Sequence, residues 1–589
     1  MSDGTKIAAD IYLPVGSSST EKFPTIFSQT RYHRSTLINF PFSLLAGDYP
    51  KEIKRFVSHG YAWVKIDVRG TGASFGKNLF PWFPRERQDG VEVVNWIVSQ
   101  PWSNGKVGAT GISYDGTAAE FLAASEHPAI KAIAPRYSLF DSYLDIAFPG
   151  GIHNRWFTRN WGDGNKALDQ NELPNGLPPW FYLLSGGVRP VDEDSDGSML
   201  RAALVEHKTN PNIGDQTATF QCRDDGAEIG FTSLDLSPFE ISNKIAQTNI
   251  PVYSISGWWD GGYGLAAIER YLTIPNNGSR LLLGPWDHGG RQHISPGRNN
   301  REPAFDETKE LLKFFDRYLK GIRNGIDEEP PIHYFTMVEE KWKSADQWPP
   351  DFDNNPFFMG PRHTLNSSPI YTTDTNSADL DQYEVNYSVG SGEGSRWKSL
   401  YNISGTEIEY PNEGSLITNS AFCNDGKLLC YTSPPLQEDL EVTGHPEIYI
   451  NLSLTDQDGY VIVYLSDVPP EGDPEYVTEG QLRIAFSREQ NEEPLYHSPA
   501  VMNSFNRRNA VKIAEGTVAD LHFSLLPTSY RFKKGHKIRI ILTGADKDLY
   551  TPLTNKPPKW TVFRSHQYPS RLVLPSPSKY KPDADLAVN

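Results

Sequence analysis

Cysteine is scarce: the 589 residues hold three, Cys222, Cys423 and Cys430, which form neither a disulfide framework nor a metal-knuckle spacing. A tight turn centred on Asp425-Gly426 would set Cys423 opposite Leu428, so all three are expected as free thiols and no structural metal is expected. Long apolar runs are missing too. None approaches the roughly 18–20 residues of a membrane span, and the start MSDGTKIAADIYLP has neither the basic nor the apolar part of a signal peptide. A soluble chain is expected, cytoplasmic, or secreted if a leader has been trimmed. Cations are in deficit: the formal net charge is −17, which repels phosphate backbones and anionic headgroups and argues against nucleic acid or membrane as a partner. Internal repeats and low-complexity segments are absent.

What is present is length and a changing rhythm. At roughly 100–200 residues per domain the chain has room for several domains and a large core. Its 12% aromatic content, with 14 Trp, suits such a core. Residues 1–135 alternate short apolar runs (FPTIFSQ, YAWVKIDV, KVGATG) with helical patterns (ERQDGVEVVNWIVSQ, TAAEFLAAS), the mark of βαβ units and a parallel sheet. From 136 to 245 the alternation gives way to Trp-, Gly- and Asp-rich stretches, read as an inserted cap. The βα rhythm returns over 246–350 with IPVYSISGWWDGG, RLLLGPWDHGG and a helix from Asp306 carrying Leu311, Leu312, Phe315 and Leu319, stopped by Gly321. From 351 to 589 the period is two, as in EIYINLSLT, where Ile448, Ile450, Leu452 and Leu454 share a face, so a C-terminal β-sandwich is expected.

The stretch GISYDG, residues 111–116, puts Ser113 between two glycines at the junction of a strand (Lys106 to Thr110) and a helix (from Tyr114). Such a turn lifts a hydroxyl clear of the sheet beside backbone N–H groups. A serine hydroxyl is a weak nucleophile and needs a base, itself fixed by an acid; in such hydrolases the chain order is Ser, acid, His. Asp260, just after PVYSISG, and His288, just after RLLLG, fall at the C-terminal ends of parallel strands, where open sheets place ligand chemistry. Asp287 is a rival acid, but adjacent side chains cannot readily bond each other. His33 and His293 are rival bases on loops that no strand places. The oxyanion of a tetrahedral intermediate needs two donors, for which the Tyr114 N–H and the Tyr32 hydroxyl are the candidates.

These residues, within NWIVSQPWSNGKVGATGISYDG, VRGTGAS, SGWWDGG and GPWDHGG, together with the later YTSPPLQEDLEVTG, LSDVPPEG and KKGHKIRI, resemble the cocaine esterase and X-Pro dipeptidyl-peptidase hydrolases. That family includes α-amino-acid ester hydrolases and glutaryl-cephalosporin acylases. The resemblance spans essentially the whole chain. It implies an α/β-hydrolase core with an inserted helical cap and a C-terminal jelly roll, a Ser113–Asp260–His288 triad, and an oxyanion hole of Tyr32 and the Tyr114 N–H. Two departures stand out. The oxyanion tyrosine usually follows a proline, whereas here it follows Arg31; and the acid, usually followed by Gly and a bulky aromatic, is followed by Gly261 and Gly262, with Tyr263 next.

The expected activity is hydrolysis of small carboxylic esters through an acyl-enzyme, without metal or organic cofactor. The expected partner is a small-molecule ester or amide; homo-oligomerisation is left open. Trp259 and Tyr263 are candidates for the pocket wall, and Trp258 for wall or core. An aminopeptidase or amino-ester hydrolase would also need a carboxylate for the substrate ammonium, which Asp141 or Asp145 in SLFDSYLD could supply. A third reading, an inactive hydrolase fold used as a binding module, is opposed by the intact Ser–acid–His order.

Overall fold

The computed structural model describes residues 1–16, 20–40, 50–175, 177, 179–298, 300–371, 379–399, 419–488 and 493–577. The N-terminal half is built on a nine-stranded sheet. Its strands are β1 (Ala9–Tyr12), β2 (Phe23–Thr30), β4 (Ala62–Asp67), β5 (Ser103–Ile112), β6 (Ile130–Arg136), β8 (Tyr253–Gly257), β9 (Arg280–Gly284), β10 (Ile332–Thr336) and β11 (Lys341–Ala345), in spatial order β1-β4-β2-β5-β6-β8-β9-β10-β11. Pairing is parallel from β4 to β10, while β1 and β11 close the edges antiparallel. The run Leu281-Leu282-Leu283 in β9 is fully buried because the sheet is covered on both faces. Each such side chain contributes about 1.5–3 kcal/mol.

Helices α1 (Lys51–Ser58), α2 (Pro84–Ser99), α3 (Tyr114–Ala123), α9 (Tyr263–Thr273) and α10 (Glu307–Phe315) flank the sheet. The start of α10 is as expected, with the Asp306 side chain accepting from the Lys309 N–H; a wider turn, Asp316–Lys320, then carries Leu319 into the core before Gly321 (φ 75°) ends it. Between β6 and β8 lie α4 (Arg155–Asp169), α5 (Pro179–Leu184), α6 (Ser198–His207), α7 (Ile213–Thr217) and α8 (Ser242–Thr248). This stretch is not purely helical: β7 (Ser185–Val188) pairs antiparallel with β3 (Thr36–Ile38), a strand from the loop after β2. No described helix is long and apolar enough to cross a membrane.

The C-terminal region is largely antiparallel β-structure, an eleven-stranded sheet with a two-stranded companion. Ile448, Ile450, Leu452 and Leu454 of the strand Glu447–Leu454 are all buried, as their period of two predicts. One expectation fails: Cys423 and Cys430 form a disulfide, with Cα atoms 5.6 Å apart, and Cys222 alone is a free thiol, buried. Ser420–Asn424 is a short helix rather than a hairpin arm, so the chain returns to the strand Leu429–Thr432 without the two-residue-turn register that would have parted the sulfurs.

Candidate active site

Ser113 stands between β5 and α3 with φ 62° and ψ −123°, a conformation costly for any residue with a Cβ. The flanking glycines make this turn fit. A Cβ on Gly111 would lie 2.2 Å from that of Asp115, and one on Gly116 would lie 2.8 Å from the Gly111 carbonyl oxygen. The second glycine comes three residues after the serine, and the position before it is Asp115, a residue the sequence reading passed over. Tyr114 opens α3, and its N–H lies in the first turn, where helix donors have no intrahelical partner. Its ring stacks on Trp82, and its hydroxyl donates to Glu86, whose carboxyl burial pushes up to about 7.

Asp260 follows β8 and His288 follows β9, and because these strands are neighbours the two loops meet. His288 Nδ1 lies 2.7 Å from Asp260 Oδ1, and the second carboxylate oxygen accepts from Ser256 Oγ at 2.8 Å. Asp260 is fully buried and His288 nearly so. Gly262 is needed here for close approach, since a Cβ would fall 2.6 Å from the Asp145 carbonyl oxygen, which accepts the Gly262 N–H. The rivals lie elsewhere or are otherwise engaged. Asp287 caps its own turn, accepting from the Arg291 and Gln292 N–H groups. His293 packs edge-on against Phe335, and burial with nearby Arg298 lowers its pKa to about 4. His33 Nε2 meets the Leu168 carbonyl at 3.1 Å, and burial lowers its pKa.

Tyr32, Ser113, Tyr114, Tyr263 and His288 line one cavity of about 630 Å³. Trp161 Nε1 donates to the Tyr32 hydroxyl at 3.0 Å. An indole can only donate, so Tyr32 accepts there and keeps its own O–H to give. Burial pushes the Tyr32 pKa up to about 12, so that proton stays on oxygen at neutral pH. The residues around Tyr32 explain Arg31 in place of proline. Arg31 pairs with Asp169 of α4 at 3.3 Å and faces the Trp161 ring; Arg34 pairs with Asp67 and Asp10, both at 2.9 Å. Three consecutive residues, Arg31 to His33, are thus tied to α4, a role that a fixed φ could otherwise fill. The spacing of Phe157 and Trp161, four apart on α4 and both at the cavity, was the available sequence signal.

Three predicted wall residues are not at the cavity. Asp141 is sealed by Arg223 at 2.7 Å and by the Tyr496 hydroxyl at 2.8 Å. Asp145 is buried and accepts from the Phe140 and Asp141 N–H groups at 2.7 Å each; burial, with Asp141 beside it, raises its pKa well above the ordinary value. Trp259 points at the C-terminal region, its ring edge-on to Tyr476 at 4.5 Å. Trp258 is core, donating through Nε1 to the Phe335 carbonyl at 2.7 Å.

The Trp258-Trp259 pair joins three parts of the molecule. Their N–H groups donate to Gly284 and Trp286 at the end of β9, at 3.0 Å each, while their carbonyls accept from Arg396 (2.5 Å) and Ser399 (3.0 Å) of the C-terminal region. Arg396 is fully buried near Glu479, which accepts from Tyr476 (2.8 Å) and Trp397 (2.7 Å). Arg396→Met should therefore destabilise the fold by about 3–5 kcal/mol, because it strands a buried carboxylate, and Glu479→Gln in the same chain should recover part of the loss. Urea unfolding of both variants measures this; equal stability of wild type and Arg396→Met would refute it.

Residues 3–290 match the X-Pro dipeptidyl-peptidase (S15 family) model, and residues 324–573 match the X-Pro dipeptidyl-peptidase C-terminal non-catalytic domain. A Mycobacterium bovis protein named as a serine esterase is 42% identical over 98% of this chain and 94% of its own. The cocaine esterase of a Rhodococcus species is 24% identical over 98% of this chain and 97% of its own. A solved α-amino-acid ester hydrolase superposes with a TM-score of 0.70 at 19% identity, covering 98% of this chain and 95% of that one. The chain belongs to the CocE/NonD and X-Pro dipeptidyl-peptidase S15 family of serine hydrolases, with an α/β-hydrolase domain followed by a largely antiparallel β domain.

Proposed function

We propose that the protein hydrolyses carboxylic esters through an acyl-enzyme on Ser113, with His288 as base and Asp260 as the acid that orients it. The observation that carries this reading is the 2.7 Å contact between His288 and Asp260 on adjacent strand ends, with Ser113 raised on its strained turn in the same cavity as His288. Asp260 accepts from Nδ1–H, which leaves Nε2 to take the Ser113 proton as Oγ attacks the carbonyl carbon. The carbonyl π electrons move to oxygen, where the Tyr114 N–H and the Tyr32 O–H stabilise the charge. Collapse expels the alcohol, which receives the proton from His288; water then repeats the sequence and releases the acid. The reaction draws only on the chain's own side chains and water.

Apolar residues such as Phe148, Phe157, Trp161, Phe220 and Leu236 form much of the cavity wall and suit a bulky apolar group on one side of the ester. The aminopeptidase reading loses its support, since both carboxylates invoked for it are sealed away from the cavity. Tyr32→Phe removes only the hydroxyl that Trp161 orients. It should lower kcat on p-nitrophenyl butanoate by roughly two to three powers of ten with KM nearly constant. A raised KM with kcat unchanged would make Tyr32 a wall residue and nothing more.

A further inference from the structure

The cavity carries two cations that the proposed chemistry does not use. Lys65, from β4, and Arg291, from the turn after His288, both line it together with Ser113. In the parallel register Lys65 stands opposite Ser28 on β2, two residues before Thr30, another wall residue. The position a Cβ on Gly289 would take lies 3.5 Å from Arg291 Nε and 3.7 Å from Ile112 Cγ2, so Arg291 runs beside the residue preceding Ser113.

Three other arginines in this part of the molecule are paired with carboxylates. Arg31 has Asp169, Arg34 has Asp67 and Asp10, and Arg136 has Glu52 and Glu307. Neither the Lys65 ammonium nor the Arg291 guanidinium has a hydrogen bond or close ion pair with a described residue; Asp115 and Asp287 act on them only through space. Lys65 is half-buried and Arg291 exposed at the cavity mouth, so both can meet a ligand entering from solvent and give it charge-assisted hydrogen bonds. The chain's net charge of −17 makes a local concentration of positive charge beside the nucleophile less expected from composition alone.

Among the described residues Asp115 is the one acidic side chain on this cavity wall. Its Oδ1 is shut away without a hydrogen-bond partner, and burial pushes its pKa up to about 7, with Lys65 pulling the other way. Asp115 acts on Lys65 and Asp287 on Arg291, each through a carboxyl whose pKa burial raises, to about 7 and about 6, so the two cations are only partly offset and suit a ligand of a single negative charge.

We propose that Lys65 and Arg291 form a subsite for a substrate carboxylate, so that the preferred ester is a monoanion with an apolar group in the remainder of the cavity. The proposal rests on Ser113 being the nucleophile. Lysine supplies a mobile point charge and arginine a planar fork, and a carboxylate can accept from both.

The test pairs esters of similar shape and different charge on the full chain. For an acyl-side carboxylate, p-nitrophenyl hemiglutarate is compared with p-nitrophenyl pentanoate. For an alcohol-side carboxylate, 4-acetoxybenzoate is compared with its methyl ester. In one of the two pairs the anionic ester should lead in kcat/KM by about ten-fold or more at low salt, chiefly through KM, and the lead should shrink in 0.5 M NaCl. Lys65→Met and Arg291→Met should each cut that ratio about five-fold or more. Calorimetric binding of 4-hydroxybenzoate against 4-hydroxybenzamide reads the alcohol-side arrangement without turnover, and glutarate against glutaramide reads the acyl-side one. The subsite is overturned if neither carboxylate compound outperforms its neutral partner, or if the two variants leave the ratio where it was. Neutral-ester turnover that survives in Ser113→Ala would instead strike the nucleophile reading, and the calorimetric ratios would still judge the subsite.

Discussion

Ser113→Ala should lower kcat/KM on p-nitrophenyl butanoate by roughly four to six powers of ten, because it removes the proposed nucleophile, raised on a strained turn in the cavity that His288 also lines. The fold should survive. Alanine keeps the Cβ, so the cost of φ 62° is the same in both chains, and the side-chain bond that Ser113 gives up is one to Tyr32 at the cavity wall. The N–H to the Arg136 carbonyl and the carbonyl to the Thr117 N–H belong to the backbone and are retained. Three readouts separate chemistry from collapse: turnover, the melting temperature, and the mass gained on treatment with a serine-directed phosphonate. Wild type should gain one phosphonyl group and the variant none, at melting temperatures within a few degrees. Residual activity above about one per cent would mean that another group attacks the carbonyl.

How far this arrangement could be read in the sequence depends on the range of the forces involved. GISYDG shows the turn at Ser113 because its causes are local: a strand, a helix start, and glycines that prevent clashes of 2.2 and 2.8 Å within six residues. Asp260 and His288 were legible because apolar runs mark β8 and β9, and chain order restricts the choice. The wall residues were not legible in the same way. Asp141 and Asp145 sit among apolar residues where the chain leaves the sheet, and only the structure reveals Arg223, 82 residues on, and Tyr496, 355 residues on, as the partners of Asp141. The locking of Tyr32 by α4 is likewise a contact over more than a hundred residues, Trp161 to Tyr32. The disulfide was missed for a different reason. CNDG favours a tight hairpin turn locally, but the preceding residues form a helix, and this changes the register that the argument about Cys423 and Cys430 required.

The C-terminal β domain bears on the proposed chemistry indirectly. It touches the loop that carries Asp260 through two backbone carbonyls, those of Trp258 and Trp259, whose N–H groups bond the segment leading to His288. A domain that held only the outside of the hydrolase would not need a fully buried arginine at this point. The Arg396 contact ties the spacing between Asp260 and His288, the proposed acid and base, to both halves of the chain.

That spacing sets the expectation for Asp260→Asn, which should cost about four powers of ten in kcat while leaving the fold in place. Asparagine has the shape of aspartate, and Ser256 Oγ can still donate to its amide oxygen. What changes is the proton on His288. An Asn NH₂ turned towards Nδ1 donates, so Nδ1 must accept and the ring proton moves to Nε2, the nitrogen that should receive the Ser113 proton. The base is then present in the wrong tautomer. Because Asp260 is fully buried and His288 nearly so, water has little room to supply the missing acceptor. Asp260→Ala would mix this effect with a cavity, so the asparagine variant is the cleaner measurement. Burst kinetics with p-nitrophenyl butanoate should show acylation itself slowed, with no rapid release of p-nitrophenol ahead of the steady state. An Asp260→Asn enzyme within ten-fold of wild type would show that His288 takes its orientation from another group, and Asp287, whose Oδ1 already holds the turn beside it, would be the residue to replace next.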